Sequence, residues 1–283
     1  MKLLLAVIVV ILCLCACSSP KLDDYVKYKV SPQVHELINQ KLIIELSDKS
    51  SVDFRGVYEP NAKVDSASIL YSGDAGVAGV FAQIATHAAM NSSARSVKLS
   101  KQQIEANKVL EPFNHVLADF TQGELMHSNK EYSFNEKLDS PQDIYLKSYP
   151  IFFVSQDLRT ISLKQRILVF RANDKDPLYQ NLIEVVSPAI QGDNPHGLLL
   201  QEDGALLKKL TKNLYKESLS FVISDIYGEY KDVTSPQKSY RFYQGESLRV
   251  ERGVRLESRS ESMLIRNLRG WLVAFPNTSV ENS

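Results

Sequence analysis

The clearest pattern along the chain is a change of hydrophobic period. From Ile144 onward apolar and polar residues alternate. Between Thr160 and Ala172, Ile161, Leu163, Ile167 and Val169 fall on one side, and Ser162, Lys164 and Arg166 on the other. That is the period of a half-buried strand. Ile151–Val154 precedes it across the turn Ser155-Gln156-Asp157, and Leu182–Val186 follows it across Asn173-Asp174-Lys175-Asp176-Pro177, so three strands are predicted in succession. After the loop Gln191–Gly197 the period becomes helical. Asp203 is placed to cap a helix carrying Leu206, Leu207, Leu210, Leu214 and Phe221 and ending near Gly228. The chain then returns to short strands, predicted at Tyr240–Tyr243, Ser247–Glu251, Gly253–Glu257, Ser262–Leu268 and Trp271–Phe275. Their predicted turns are Gln244-Gly245, Arg252-Gly253, Ser258–Ser260 and Arg269-Gly270.

The first half reads differently. Ser31-Pro32 has the form of a helix start, with Val34, Leu37 and Ile38 on one face. Leu42–Leu46, Val52–Tyr58 and Ser66–Tyr71 read as strands. Residues 74–90 are rich in small side chains, among them Gly76, Gly79 and Ala82. Such a helix packs closely on a sheet or against another helix, in an oligomer or in a membrane. Ser100-Lys101-Gln102-Gln103 is a capping box, and apolar residues from Ile104 to Phe120 follow at helical spacing, with Pro112 set to kink or divide the helix. The expected class is α+β: a mostly antiparallel sheet, two or three longer helices and a C-terminal β-meander. The polar stretch Ser128–Gln142 suggests a division into parts 31–130 and 140–276, with a loose tail over 277–283.

The N-terminus has its own pattern. One basic residue, Lys2, precedes an apolar run from Leu3 to Cys17. The run is about 15 residues, or roughly 22 Å as a helix, short of the ~20 residues that span a bilayer. This is the layout of a secretory signal peptide over residues 1–16. Leu14-Cys15-Ala16-Cys17 resembles the lipobox of bacterial lipoproteins. The resemblance covers the first 17 residues only. It implies a diacylglycerol on the Cys17 thiol, cleavage after Ala16, and a lipidated linker over residues 17–30. Ser18 in place of an aspartate implies the outer membrane of a double-membraned bacterium, with the body facing the periplasm. Two or three acyl chains, at about 0.8 kcal/mol per buried CH₂, anchor a protein stably. The membrane is therefore the first expected partner.

Composition narrows the alternatives. Removing residues 1–16 from the 283 leaves 267, and the three cysteines are Cys13, Cys15 and Cys17. The remaining body has no thiol for a disulfide and must rely on its core, which a chain of this size can build. The whole chain carries 33 basic and 33 acidic residues. That balance gives no footprint for nucleic acid.

No motif identifies a reaction. The histidines, His35, His87, His115, His127 and His196, lack metal-ligand spacing, and neither a metal nor another cofactor is expected. There is no Gly-x-Ser-x-Gly turn and no phosphate-cradling loop. Ser235-Pro236-Gln237-Lys238 has Ser-x-x-Lys spacing without its companion motifs. The carboxylate pairs Asp174/Asp176 and Glu202/Asp203 sit in turn or cap contexts. The candidate contacts are the meander arginines Arg241, Arg249, Arg255, Arg266 and Arg269. Their planar forks suit phosphate or carboxylate groups on envelope lipids or peptidoglycan, and their neighbouring glutamates suit plain cross-strand pairing. The small-residue segment is the candidate contact for an oligomer or membrane. The expected role is non-enzymatic binding or scaffolding in the envelope, alone or as a homo-oligomer with other envelope proteins. The alternatives are a peptidoglycan-active or other envelope hydrolase, and an oligomeric pore or secretion-complex component.

Overall fold

In the computed structural model the described residues are 27–31, 34, 41–46, 51–58, 101–129, 132–136 and 143–277. Cys17, the strand expected at Ser66–Tyr71 and the small-residue segment with Gly76, Gly79 and Ala82 lie outside them, as does most of the helix expected after Ser31.

The strands are β1 (Lys29–Val30), β2 (Leu42–Glu45), β3 (Asp53–Gly56), β4 (Ser133–Phe134), β5 (Ile144–Val154), β6 (Ile161–Arg171), β7 (Tyr179–Val186), β8 (Gln237–Gln244), β9 (Ser247–Ser258), β10 (Ser262–Asn267) and β11 (Leu272–Pro276). The helices are α1 (Asn114–Ala118), α2 (Gln122–His127) and α3 (Pro195–Ile226). Among the described residues all the strands join one sheet, of order β4-β2-β5-β6-β7-β11-β10-β9-β8. β3 shares the β2 side of β5, and β1 pairs with β7. The chain is α+β, with an antiparallel β5–β6–β7 unit and an antiparallel C-terminal meander joined by the parallel pair β7–β11. β2 and β3 both pair in parallel with β5, so segments before and after residue 140 are hydrogen-bonded into the same sheet.

Alternation decides what each sheet face buries. On β6, Ile161, Leu163, Ile167 and Val169 enter the main core, where α3 supplies Leu207, Leu214, Leu219, Phe221 and Val222. A polar rivet crosses that core: the Ser218 hydroxyl donates to Gln165 Oε1 at 2.6 Å, and the Gln165 amide donates to Ser148 Oγ at 2.8 Å. Phe54 of β3 stacks on Phe152 of β5 at 5.4 Å and meets Phe120 at 6.2 Å.

Of three local expectations, the first and third are corrected and the second is met. First, Asp203 does not cap α3. Asn194 does, accepting from the Gly197 amide at 2.9 Å, with Pro195 at the first helical position. Glu202, Asp203 and Gly204 instead take left-handed φ values of 50°, 54° and 75°, which divide α3 into a short and a long helix. Gly204 is the residue that fits there, because a Cβ would lie 2.3 Å from Val116 Cγ1. Second, helical backbone over 101–106 passes into a 3₁₀ run, Asn107–Phe113, with Pro112 inside it. The helix is thus divided at Pro112 as expected, and α1 begins only at Asn114, after the 3₁₀ run. Third, Arg252-Gly253 is not a turn. β9 runs unbroken through it, and Gly253 permits close approach: a Cβ there would lie 2.3 Å from the Arg266 carbonyl oxygen.

The meander curls back over the face opposite α3. Phe242 of β8 stacks on Phe275 of β11 at 4.4 Å, although two strands lie between β8 and β11 in the sheet. The Gln244 amide donates to Ser162 Oγ of β6 at 2.6 Å. Arg249 of β9 pairs with Glu184 of β7, which also faces Lys164 of β6 at 3.7 Å. The rolled sheet thus encloses a second small core of Val186, Tyr240, Phe242, Ile265, Val273 and Phe275.

Candidate functional site

The C-terminal end of α3, the rolled meander and the segment entering β1 converge on one groove of about 730 Å³. Its apolar wall is Val254 and Leu256 of β9, with Val233 from the loop after α3. Its aromatic residues are Tyr28, Tyr230 and Trp271, and its cations are Lys27, Lys231, Arg266 and Arg269. Among the described residues lining it there is no carboxylate, imidazole or thiol.

The geometry follows from a tight turn. Asn267 ends β10, and its Oδ1 accepts from the backbone amides of Arg269 and Trp271, each at 3.0 Å. Gly270 closes the turn at φ 84°, and its Cα face rests on the Tyr28 ring, where a Cβ would come within 2.7 Å. The Arg269 guanidinium lies over the Trp271 ring at 4.9 Å, a cation–π arrangement that holds an exposed charge at the rim. Leu268, at the apex, is 64% exposed.

Behind the turn a half-buried arginine pairs with a buried carboxylate. Arg266 donates through Nη2 to Asp225 at the end of α3, and Asp225 also accepts from the Tyr179 hydroxyl at 2.8 Å. Arg266 lies 5.4 Å from the Tyr28 centroid. Burial, reinforced by Asp225 and opposed by Arg266, raises the Tyr28 phenol above its ordinary range. Tyr230 donates to Glu257 Oε2 at 2.6 Å, and burial together with that carboxylate keeps its phenol protonated far above neutral pH. Both tyrosines therefore present neutral, rigid surfaces.

The five arginines read from the sequence separate. Arg266 and Arg269 line the groove. Arg249 lies on the other face, bound to Glu184 and to Glu251 at 3.1 Å. Arg241 and Arg255 are exposed on β8 and β9, away from the groove lining. Sequence reasoning missed Lys27, Tyr28, Tyr230 and Lys231, which reach the groove from segments about 200 residues apart. The only local trace is a lysine next to a tyrosine in each.

His115, His127 and His196 are exposed, and His196 meets Phe113 edge-on at 5.7 Å. Among the described residues no three His, Cys, Asp or Glu side chains form a metal-binding group, and no helix is long and apolar enough to cross a membrane. Ser235 lies on the run into β8, and Lys238 lies within that strand. Comparison with known proteins finds no matching family, no matching curated protein and no matching solved structure.

Proposed function

We propose that the protein is a lipid-anchored protein of the cell envelope with a non-enzymatic binding role, and that the groove beside the Leu268–Gly270 turn is its binding site. The observation that carries this reading is the groove's lining. Cations and aromatic rings surround an apolar wall, and among the described lining residues no general base stands with them. Such a lining recognises a component that is anionic at one end and apolar at the other. Lipid on Cys17 holds the protein at the outer membrane, facing the periplasm.

Two measurements test this. A photo-cross-linking residue at Lys231 should capture an anionic envelope component in intact cells, whereas the same residue at Arg241 should not. Equal capture at both positions, or release of soluble fragments from purified peptidoglycan by the wild-type protein, overturns the reading. Cys17→Ala should abolish labelling by radioactive fatty acid, and retained labelling refutes the anchor.

A further inference from the structure

We propose that the mouth of the groove docks onto an anionic bilayer surface: the Leu268–Gly270 turn enters the interfacial layer, and Lys27, Lys231 and Arg269 contact lipid phosphates. This deepens the binding role proposed above and rests on it.

Four observations converge. Leu268 has the greatest exposure of the large hydrophobic residues described, and it stands at the apex of a turn, where a side chain can project without moving a strand. The turn is already ordered by Asn267 and by its seat on Tyr28, so little conformational freedom remains to be lost on contact. Exposed cations surround it. Arg269 adjoins Leu268, Lys27 and Lys231 stand on the groove, and Arg252 accepts from the Leu268 amide through its carbonyl at 3.2 Å. Each cation held near an anionic membrane strengthens binding roughly fivefold, the equivalent of about 1 kcal/mol.

The chain path supplies the fourth. Tyr28 is packed under the turn, and Lys27 is ten residues from Cys17. Ten residues reach at most about 35 Å. A lipid on Cys17 therefore keeps the groove mouth within a short tether of the membrane. A soluble ligand site would need no hydrophobic apex. A protein-docking face of ordinary size would need a broader apolar surface than one leucine provides.

Trp271, the sole tryptophan of the chain, sits beside this apex and reports on it. The test uses the protein purified from its native envelope and reconstituted into vesicles of brominated phosphatidylcholine, with or without phosphatidylglycerol. Bromine quenches tryptophan only at short range. Trp271 emission should fall several-fold further in vesicles containing phosphatidylglycerol, and high salt should remove most of the difference. Leu268→Asp should abolish it, and Lys231→Glu with Arg269→Glu should reduce it at least threefold, with circular dichroism unchanged.

Equal emission in neutral and anionic vesicles, or equal quenching of wild type and Leu268→Asp, overturns the proposal. So does abolition by millimolar inorganic phosphate, which would identify a free anion as the ligand. Mass spectrometry of the same preparation separates the two readings. An unacylated Cys17 refutes the lipid anchor, while the quenching difference still decides the docking surface.

Discussion

At the scale of single residues, the pair Glu184–Arg249 ties β9 to β7 across the rolled sheet. Burial works to raise the Glu184 carboxyl, but Arg249 and Lys164 outweigh it and hold the group below its ordinary 4.5. A carboxylate with a depressed folded value contributes stability above its unfolded value and loses it as pH falls through the folded one. Wild-type stability should therefore decline from about pH 4.5 downward. Arg249→Ala leaves a nearly buried carboxylate facing Lys164 alone and should cost about 2–3 kcal/mol at neutral pH, because removing one partner of a buried pair strands the other. With Arg249 gone the depression of Glu184 shrinks, so the variant's stability should fall less steeply in acid. Parallel slopes for the two proteins in urea titrations between pH 3 and 7 would contradict this role. Gly204 illustrates a different kind of residue effect. Gly204→Ala adds both left-handed strain and a clash with Val116, and it should cost roughly 2 kcal/mol or more, read as a lowered urea midpoint.

Among the elements, the β8–β9 hairpin depends on contacts with strands that are not its sheet neighbours. Phe242→Ala removes its stack on Phe275 and should cost about 3 kcal/mol. Limited proteolysis should then cut first near Gln244-Gly245, and unchanged protease resistance would show that Gln244 and Arg249 suffice to hold the roll. The strands of this region were legible in the sequence because their alternation is strong. Ile161 to Val169 fall on the face read for them, and Gly245 and Gly270 stand in left-handed turns as expected. The break read at Gly253 was not a turn, because glycine serves close approach as well as reversal, and only the neighbouring carbonyl of Arg266 distinguishes the two uses. The start of α3 was misplaced because Asp203 resembles a cap, whereas Asn194-Pro195 lay within what read as a polar loop. The groove was only half legible. Arg266 and Arg269 belong to the arginine series, but no local pattern announces that Lys27 and Lys231 will meet them.

For the whole molecule, the parallel pair β7–β11 is the ladder that joins the two antiparallel units. Leu272, Val273 and Ala274 stand in register with Ile183, Glu184 and Val185, with α3 and the rest of the meander between them in sequence. The last strand in the described chain thus occupies the middle of the sheet order, flanked by β7 and β10. Its insertion completes the bridge between two antiparallel units that, among the described residues, share no other ladder. A chain still emerging from a ribosome lacks the strand that joins its halves. The complete sheet therefore cannot close until residues 272–276 have been made and have found their place between β7 and β10.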